Sequence, residues 1–308
     1  MKKRLFLQSV SVQKRRRYLT GATFVLPTLL ILVLMMFTPL VRTFVYSVSK
    51  IKFPALETTF IGLDNIERMF SRPEIGQVLK NTVVWIFYSV IIRFSLGFGS
   101  ALLLQGSSRR LKVCRVLALL PWTIPSIVSA NTWRWMFQSE LGFVNTLLTK
   151  LGLSAWTQNW LGDPATAMGA VLFAYGWSGF PFVMMMLLAG IQGIPDELYE
   201  SGKIDGANAW QLFLHITIPE LKSVIFAVLL LEITSGLNSF DLLYTMTGGG
   251  PGGSTEILGL LIHRVGFTNF DFGGASALSV FIILVAAVLF LLSGPAKKVR
   301  GKARGGEV

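Results

Sequence analysis

Four ionisable side chains, Arg93, Arg134, Glu232 and Asp241, fall within or at the edge of strongly apolar stretches. In hydrocarbon each such charge costs at least about 2.5–3.5 kcal/mol, so each needs a partner, a route to water or a function. Arg134 stands near the end of its stretch, where a long side chain can reach polar surroundings. Glu232 is the deepest, which points to a structural ion pair or a subunit contact. Asp241 has Asn238 three residues before it and Tyr244 three residues after it, so one helical face would carry all three. Hydrogen-bonding groups beside an aromatic surface suit a hydroxyl-rich ligand such as a sugar. Trp177 and Ser178, just before an expected helix break at Pro181, offer the same combination. These five residues are candidates for a substrate pathway; for Asp241 the competing reading is a buried pair that holds its helix in place.

Other chemistries find no support. The chain has no GxxxxGK[ST], HExxH or GxSxG motif and no paired carboxylates at catalytic spacing. Gly248-Gly249-Gly250-Pro251-Gly252-Gly253 has the glycines of a phosphate cradle but no lysine, and reads as a flexible turn. Cys114, His215 and His263 are far apart in sequence, which argues against a His/Cys metal site, and a single cysteine allows no internal disulfide. The expectation is a non-catalytic chain with no cofactor or metal of its own.

The elements that must position these residues are apolar helices. Of 308 residues, 52% are hydrophobic and 14% charged, and mean hydropathy is +0.60. So few charges cannot cover a soluble protein of this size. A hydrocarbon core about 30 Å thick needs about 20 mostly apolar residues per helix. Six stretches qualify: Leu19–Tyr46, Val78–Leu104, Val113–Phe137, Thr166–Ile191, Leu221–Met246 and Ala275–Leu292. The first is too long for a signal-peptide core and is read as a retained anchor. The net charge of +12 would suggest nucleic acid in a soluble protein; here it reads as cations kept on the cytoplasmic side. Eighteen Lys and Arg fall in the N-terminal segment, the second and fourth connections and the tail, against seven in the opposite connections. That bias places both termini in the cytoplasm. The long external connections are 50–77, broken by Pro54, Gly62, Pro73 and Gly76, 138–165, with Trp156 and Trp160 suited to the membrane interface, and the Gly-rich 247–274.

The connection at 194–219 is too patterned for a linker. Pro195 suits the first position of a helix, and Asp196 and Glu197 complement its positive end. Asp205 is expected as the N-cap of a second short helix after a sharp corner at Gly206, with Ala207, Trp210, Phe213 and Leu214 on one face. Thr217 and Glu220 have capping-box spacing around Pro219 at the start of the fifth span. Partner docking and internal packing would each explain two structured helices here.

This segment resembles the EAA loop of bacterial ATP-binding-cassette importer permeases, in which Glu-Ala-Ala is followed after three residues by Gly and then by a distal hydrophobic-x-hydrophobic-Pro. Glu200, Asp205, Gly206, Ala207, Ile216, Ile218 and Pro219 match, while Ser201 and Gly202 replace the two alanines. Both are small, though Gly202 weakens the helix by up to about 1 kcal/mol. Phe60–Asn65, Asn81-Thr82, Leu120–Pro125, Trp133–Phe137, Asn238–Pro251 and Asp271–Ala277 resemble segments of the sugar-importer permeases of the maltose and glycerol-phosphate type.

The resemblance implies an all-α integral membrane protein: six transmembrane helices with a cytoplasmic EAA coupling loop between helices four and five. Its parts would be a basic cytoplasmic N-terminus (1–18), a permease domain (19–296, coupling loop 194–219) and a basic cytoplasmic tail (297–308). The implied partners are a second, homologous permease, two ATP-binding-cassette ATPase subunits that bind the ATP and Mg, an extracytoplasmic solute-binding protein and membrane lipid, with no nucleic acid. The location would be the bacterial cytoplasmic (inner) membrane. Glu200, Asp205, Gly206, Ala207 and Pro219 would couple to the ATPases. A secondary transporter of a small polar solute is the alternative, and a membrane-embedded enzyme a more distant one.

Overall fold

A computed structural model describes residues 20, 22–52, 55 and 57–292. The basic segments expected at 1–18 and 297–308, the start of the first apolar stretch and Pro54 lie outside the described residues. Helices dominate, and the only strands among those residues form one small hairpin.

Helix α1 (Ala22–Ser47) leads into strands β1 (Ser49–Lys52) and β2 (Glu57–Phe60), antiparallel with Ser49 opposite Phe60 and Lys52 opposite Glu57. A short helix, α2 (Asp64–Phe70), closes this first connection. Asn65 ties it together by donating to the carbonyls of Ser47 (3.0 Å) and Ser49 (2.8 Å). Helix α3 (Ile75–Leu103) and helix α7 (Pro164–Gln192) are 29 residues each, enough to cross a bilayer with some tilt.

Between them stand α4 (Arg109–Thr123), α5 (Ser126–Met136) and α6 (Phe143–Lys150). The expected third span is thus not one helix: α4 and α5 meet at 93°. Ile124, the residue before Pro125, is pushed to extended backbone (φ −79°, ψ 128°), because a following proline ring disfavours the helical region. The bent pair nevertheless runs back along α7, with Trp122 near Phe182 at one end and Trp133 near Phe173 further on. Pro181, expected to break α7, does not; the helix passes through it without interruption.

Helix α8 (Asp196–Ile204) follows, then α9 (Ala209–Leu212), a π-helical turn (Phe213–Thr217) and α10 (Ile218–Leu237), which form one continuous rod from 209 to 237. The expected fifth span stops there. Helix α11 (Asp241–Met246) restarts it after a non-helical step at Asn238–Phe240. Helices α12 (Leu258–Thr268) and α13 (Phe272–Leu292) complete the chain. Among the described residues three helices can cross a membrane by length and composition, or four with the bent pair. Helix α10 carries Glu220, Lys222 and Glu232 within 20 residues.

Helices α3 and α7 pack in parallel: Trp85 meets Tyr175, Gly176 faces Ile92, Gly179 faces Arg93 and Gly97 faces Val183. The absent Cβ atoms let the backbones approach, the usual device of apolar helix pairs in lipid. Around this pair lie three apolar clusters. One gathers Trp85, Tyr175, Leu243 and Met246, a second Val183, Leu187, Leu221 and Val228, and a third Val78, Leu261, Val265 and Leu278.

Candidate functional site

The centre of the helix bundle is polar. Arg93 on α3 and Glu232 on α10 form an ion pair of 3.1 Å, with side chains 9% and 4% exposed. Arg93 also donates through Nε to the Tyr175 carbonyl (3.1 Å), and its guanidinium lies 3.3 Å from the centre of the Tyr175 ring. The Tyr175 hydroxyl is 3.0 Å from Ser235 Oγ and accepts from Ser239 Oγ at 2.8 Å. One network therefore ties α3, α7 and α10 at a depth where an unpartnered charge is costly. Gly179 makes room for it, since a Cβ there would sit 2.1 Å from the Arg93 guanidinium carbon. The indole Nε1 of Trp85 is buried nearby without an acceptor.

The sequence reading picked out Arg93 and Glu232 but missed Tyr175, Ser235 and Ser239. The signal was present: Glu232, Ser235 and Ser239 follow at three- and four-residue spacing, a polar stripe on one face of an apolar helix.

The five pathway candidates divide into two groups. Asn238 ends α10 and donates to the Thr234 carbonyl (2.9 Å), while Asp241 begins α11 and is exposed. The break between them means that Asn238, Asp241 and Tyr244 do not share one continuous helical face. Tyr244 is half-exposed and stacks on Phe240 (5.0 Å) and against His263 (4.9 Å), which in turn stacks on Phe267 (5.3 Å). Trp177 lies edge-on to Trp133 (5.5 Å), and Ser178 donates to the Tyr175 carbonyl. Neither is hydrogen-bonded to Asn238, Asp241 or Tyr244. Arg134 is exposed and donates to the Thr245 carbonyl (3.3 Å), so it joins α5 to α11.

At one end of the bundle, residues 194–219 form the two helices expected, with different caps. Asp205 ends α8 rather than starting the next helix. Asn208 is the N-cap, reciprocally bonded with Gln211 in a capping box. Gly206 supplies the corner with φ +80°, a backbone state that L side chains rarely adopt. Thr217 does not cap α10; its hydroxyl pairs with that of Tyr199 (3.0 Å), joining α8 to the long rod. Gly202, a departure from the EAA pattern, lets α8 approach the rod: a Cβ there would lie 2.6 Å from Leu212 Cδ2. A groove of about 490 Å³ runs between the two, lined by Leu198, Gly202, Asp205, Ala207, Leu212 and His215. Glu200, Asp205 and Pro219 are exposed, as are the apolar side chains of Ile204 (85%) and Trp210 (66%).

At the opposite end the Gly-rich segment is bonded in place rather than loose. Asn81 of α3 donates to the carbonyls of Gly253 (2.8 Å) and Glu256 (3.1 Å), and Thr82 accepts from the Leu258 amide (3.0 Å). The Thr255 hydroxyl donates to the Gly250 carbonyl (2.8 Å). Gly248, Gly249, Gly252 and Gly253 all have positive φ, which explains the glycines without a phosphate. Arg264 bonds Glu256 (2.7 Å) and Glu74 (3.3 Å); the Glu256 hydrogen bond first, then the attraction of both carboxylates, holds its guanidinium above the ordinary arginine range. No group of three His, Cys, Asp or Glu able to hold a metal occurs among the described residues.

Long apolar helices, a polar network within them and a structured helical hairpin at one end define a polytopic membrane permease. The chain belongs to the family described as binding-protein-dependent transport system inner membrane component, whose pattern matches residues 93–294. It is 36% identical over 284 residues to the trehalose/maltose transport system permease protein MalF of Thermococcus litoralis, covering 91% of this chain and 95% of that one. It is 35% identical over 238 residues to the sulfoquinovosyl glycerol transport system permease protein SmoG of Agrobacterium fabrum, covering 77% and 74%. Among solved structures, a bacterial alginate ABC transporter in complex with an alginate pentasaccharide-bound periplasmic protein has a chain of the same fold. That match has a TM-score of 0.78 and 22% identity, covering 91% of this chain and 93% of that one.

Proposed function

We propose that this chain forms half of the translocation pathway of an ATP-driven carbohydrate importer, and that it is not itself an enzyme. It would cross the inner membrane six times with both termini in the cytoplasm. The parallel run of α3 and α7, with the bent α4–α5 pair running back along α7 and α10 running back along α3, supports that count. Its partners would be a second, homologous permease, two ATPase subunits and an extracytoplasmic solute-binding protein. ATP and Mg would be held by the ATPase subunits, with no cofactor in this chain. The names of the relatives, which concern trehalose, maltose and sulfoquinovosyl glycerol, favour a sugar or glycoside as substrate.

The observation that carries the reading is continuity. The rod that begins at Ala209 in the hairpin runs unbroken to Leu237, past Glu232 and Ser235. A displacement of the hairpin is therefore delivered to the polar centre without an intervening hinge, which is what a two-state coupling element requires. Exposed Ile204 and Trp210 give the hairpin an apolar surface that suits a protein partner. Glu200, Asp205, Gly206, Ala207 and Pro219 would form or shape that contact. Asn238, Asp241 and Tyr244 at the break, with Trp177 and Ser178 across α7, would line the pathway. The ATPase stroke would then tilt α10 and move the break, opening and closing the route.

The test is uptake of trehalose or maltose by the complex in proteoliposomes. Uptake should require ATP and the binding protein and ignore a collapsed proton gradient, unlike uptake by a secondary transporter. Glu200→Lys and Gly206→Pro should each abolish it while membrane insertion persists, because proline cannot adopt the corner's positive φ. ATP-independent uptake, or normal uptake in both variants, would overturn the assignment.

A further inference from the structure

The end of the bundle that carries the hairpin holds a second cavity, separate from the groove between the hairpin helices. It has a volume of about 650 Å³ and lies between the α3–α4 connection and α8, with Lys112, Arg115 and Lys203 in its wall beside Gln105, Tyr199 and Asp196. Three cations face one carboxylate, and among the described residues neither lysine is in an ion pair. Arg115 is held in place by donating to the Leu104 carbonyl (2.7 Å) and the Gly106 carbonyl. The cavity adjoins the start of α4, whose first turn contains no acidic residue, so the helix end adds to the positive potential.

What distinguishes this cavity from a plain basic surface is its continuation. Lys112, Val116 and Leu120 follow at four-residue spacing on α4, and Val113 and Leu117 flank them. All four apolar residues are exposed in the chain, on a helix whose Ala118 and Leu119 pack against the second apolar cluster. Lys112 stands both in the wall of the recess and at the head of this exposed apolar stripe, a combination that matches a molecule with an anionic head and a hydrocarbon tail. We propose that it is a binding site for an anionic phospholipid, with the phosphate among Lys112, Arg115 and Lys203 and an acyl chain along Val116 and Leu120. A soluble phosphate would use the recess but not the stripe. The far wall of the recess is α8, so a bound lipid would brace the element read above as the coupling helix.

Binding can be read without any transport assay. The full chain, purified in detergent with equal phosphatidylglycerol and phosphatidylethanolamine, is examined by native mass spectrometry. The wild type should retain phosphatidylglycerol in preference to phosphatidylethanolamine. Lys112→Gln/Lys203→Gln should lower that retention by about an order of magnitude. Arg109→Gln/Arg110→Gln, which removes two charges from the same turn outside the cavity, should leave most of it. Unchanged retention in the first variant, or equal loss in both, would overturn the site. Displacement of the lipid by millimolar inorganic phosphate or glycerol phosphate would reassign the recess to a free anion. A pair that purifies poorly would be judged by Val116→Asn, which keeps every charge and should still weaken lipid retention.

Discussion

Arg93 and Glu232 depend on each other. Each carries its charge into apolar surroundings, and the pair is made tolerable by a third residue, Tyr175, which offers Arg93 both a carbonyl and a ring face. Removing one partner leaves the other buried and uncompensated, at a cost of about 3–5 kcal/mol. Removing both with apolar residues of similar volume is often close to neutral. Glu232→Met and Arg93→Met should therefore each lower the thermal melting point of the detergent-purified chain sharply, and the double variant should recover most of the loss. A double variant as unstable as the sum of the singles would mean that the two side chains act independently. The pairing was legible as an expectation for Glu232, since a lone deep carboxylate needs a partner. The partner's identity was not, because Arg93 and Glu232 are 139 residues apart. Nor was the part played by Tyr175, whose hydroxyl and ring look like ordinary apolar packing in a sequence.

Helix packing turns on which atoms a side chain would meet. At Gly97 a Cβ would approach Val183 Cβ at 2.6 Å and the Met184 backbone nitrogen at 2.9 Å, neither of which can move alone. At Gly202 the nearest atom, also at 2.6 Å, is the tip of the Leu212 side chain, which can rotate. The same substitution should have opposite results. Gly97→Ala should destabilise the chain by about 1–3 kcal/mol through overpacking. Gly202→Ala should be neutral or stabilising, since alanine gains about 1 kcal/mol of helix propensity at an accommodating site. Melting points of the two variants side by side check this; an unstable Gly202→Ala would show that the hairpin is as rigid as the α3–α7 contact. At this scale the sequence marked the helices better than their interruptions. Ile124 before Pro125 ends α4, as proline stereochemistry requires, yet Pro181 leaves α7 intact. A proline inside an apolar bundle is tolerated where neighbouring groups take up the freed backbone. The break at Asn238–Phe240 has no proline to announce it; Ser239 there bonds Tyr175, a tertiary contact. The Gly206 corner was legible because few residues other than glycine take its φ, whereas Asp205 and Asn208 compete as caps and only the backbone path decides between them.

The whole molecule has two chemically different ends. Asn81, Gly253 and Glu256 meet at one, and the hairpin with the α3–α4 connection occupies the other. At the first end two arginines are paired: Arg72 with Asp271 (3.1 Å), and Arg264 with Glu74 and Glu256. At the second, Arg109, Arg110, Lys112 and Lys203 have no ion-pair partner among the described residues. The expected bias of eighteen Lys and Arg against seven counts cations whether or not they are paired, because acidic residues contribute little to it. On that bias the hairpin is expected in the cytoplasm and the Gly-rich segment outside. In a Cys114→Ser background, Asn269→Cys, exposed at the paired-cation end, should react with an impermeant maleimide in intact cells. Ser201→Cys, exposed on α8, should react only after permeabilisation. The reverse pattern would invert the molecule and remove the hairpin from any reach of cytoplasmic ATPases. Labelling of both sites in intact cells would mean that the chain does not hold a single orientation. The outcome bears on more than topology, because α8 and the rod from 209 to 237 can couple ATP to transport only from the cytoplasmic side.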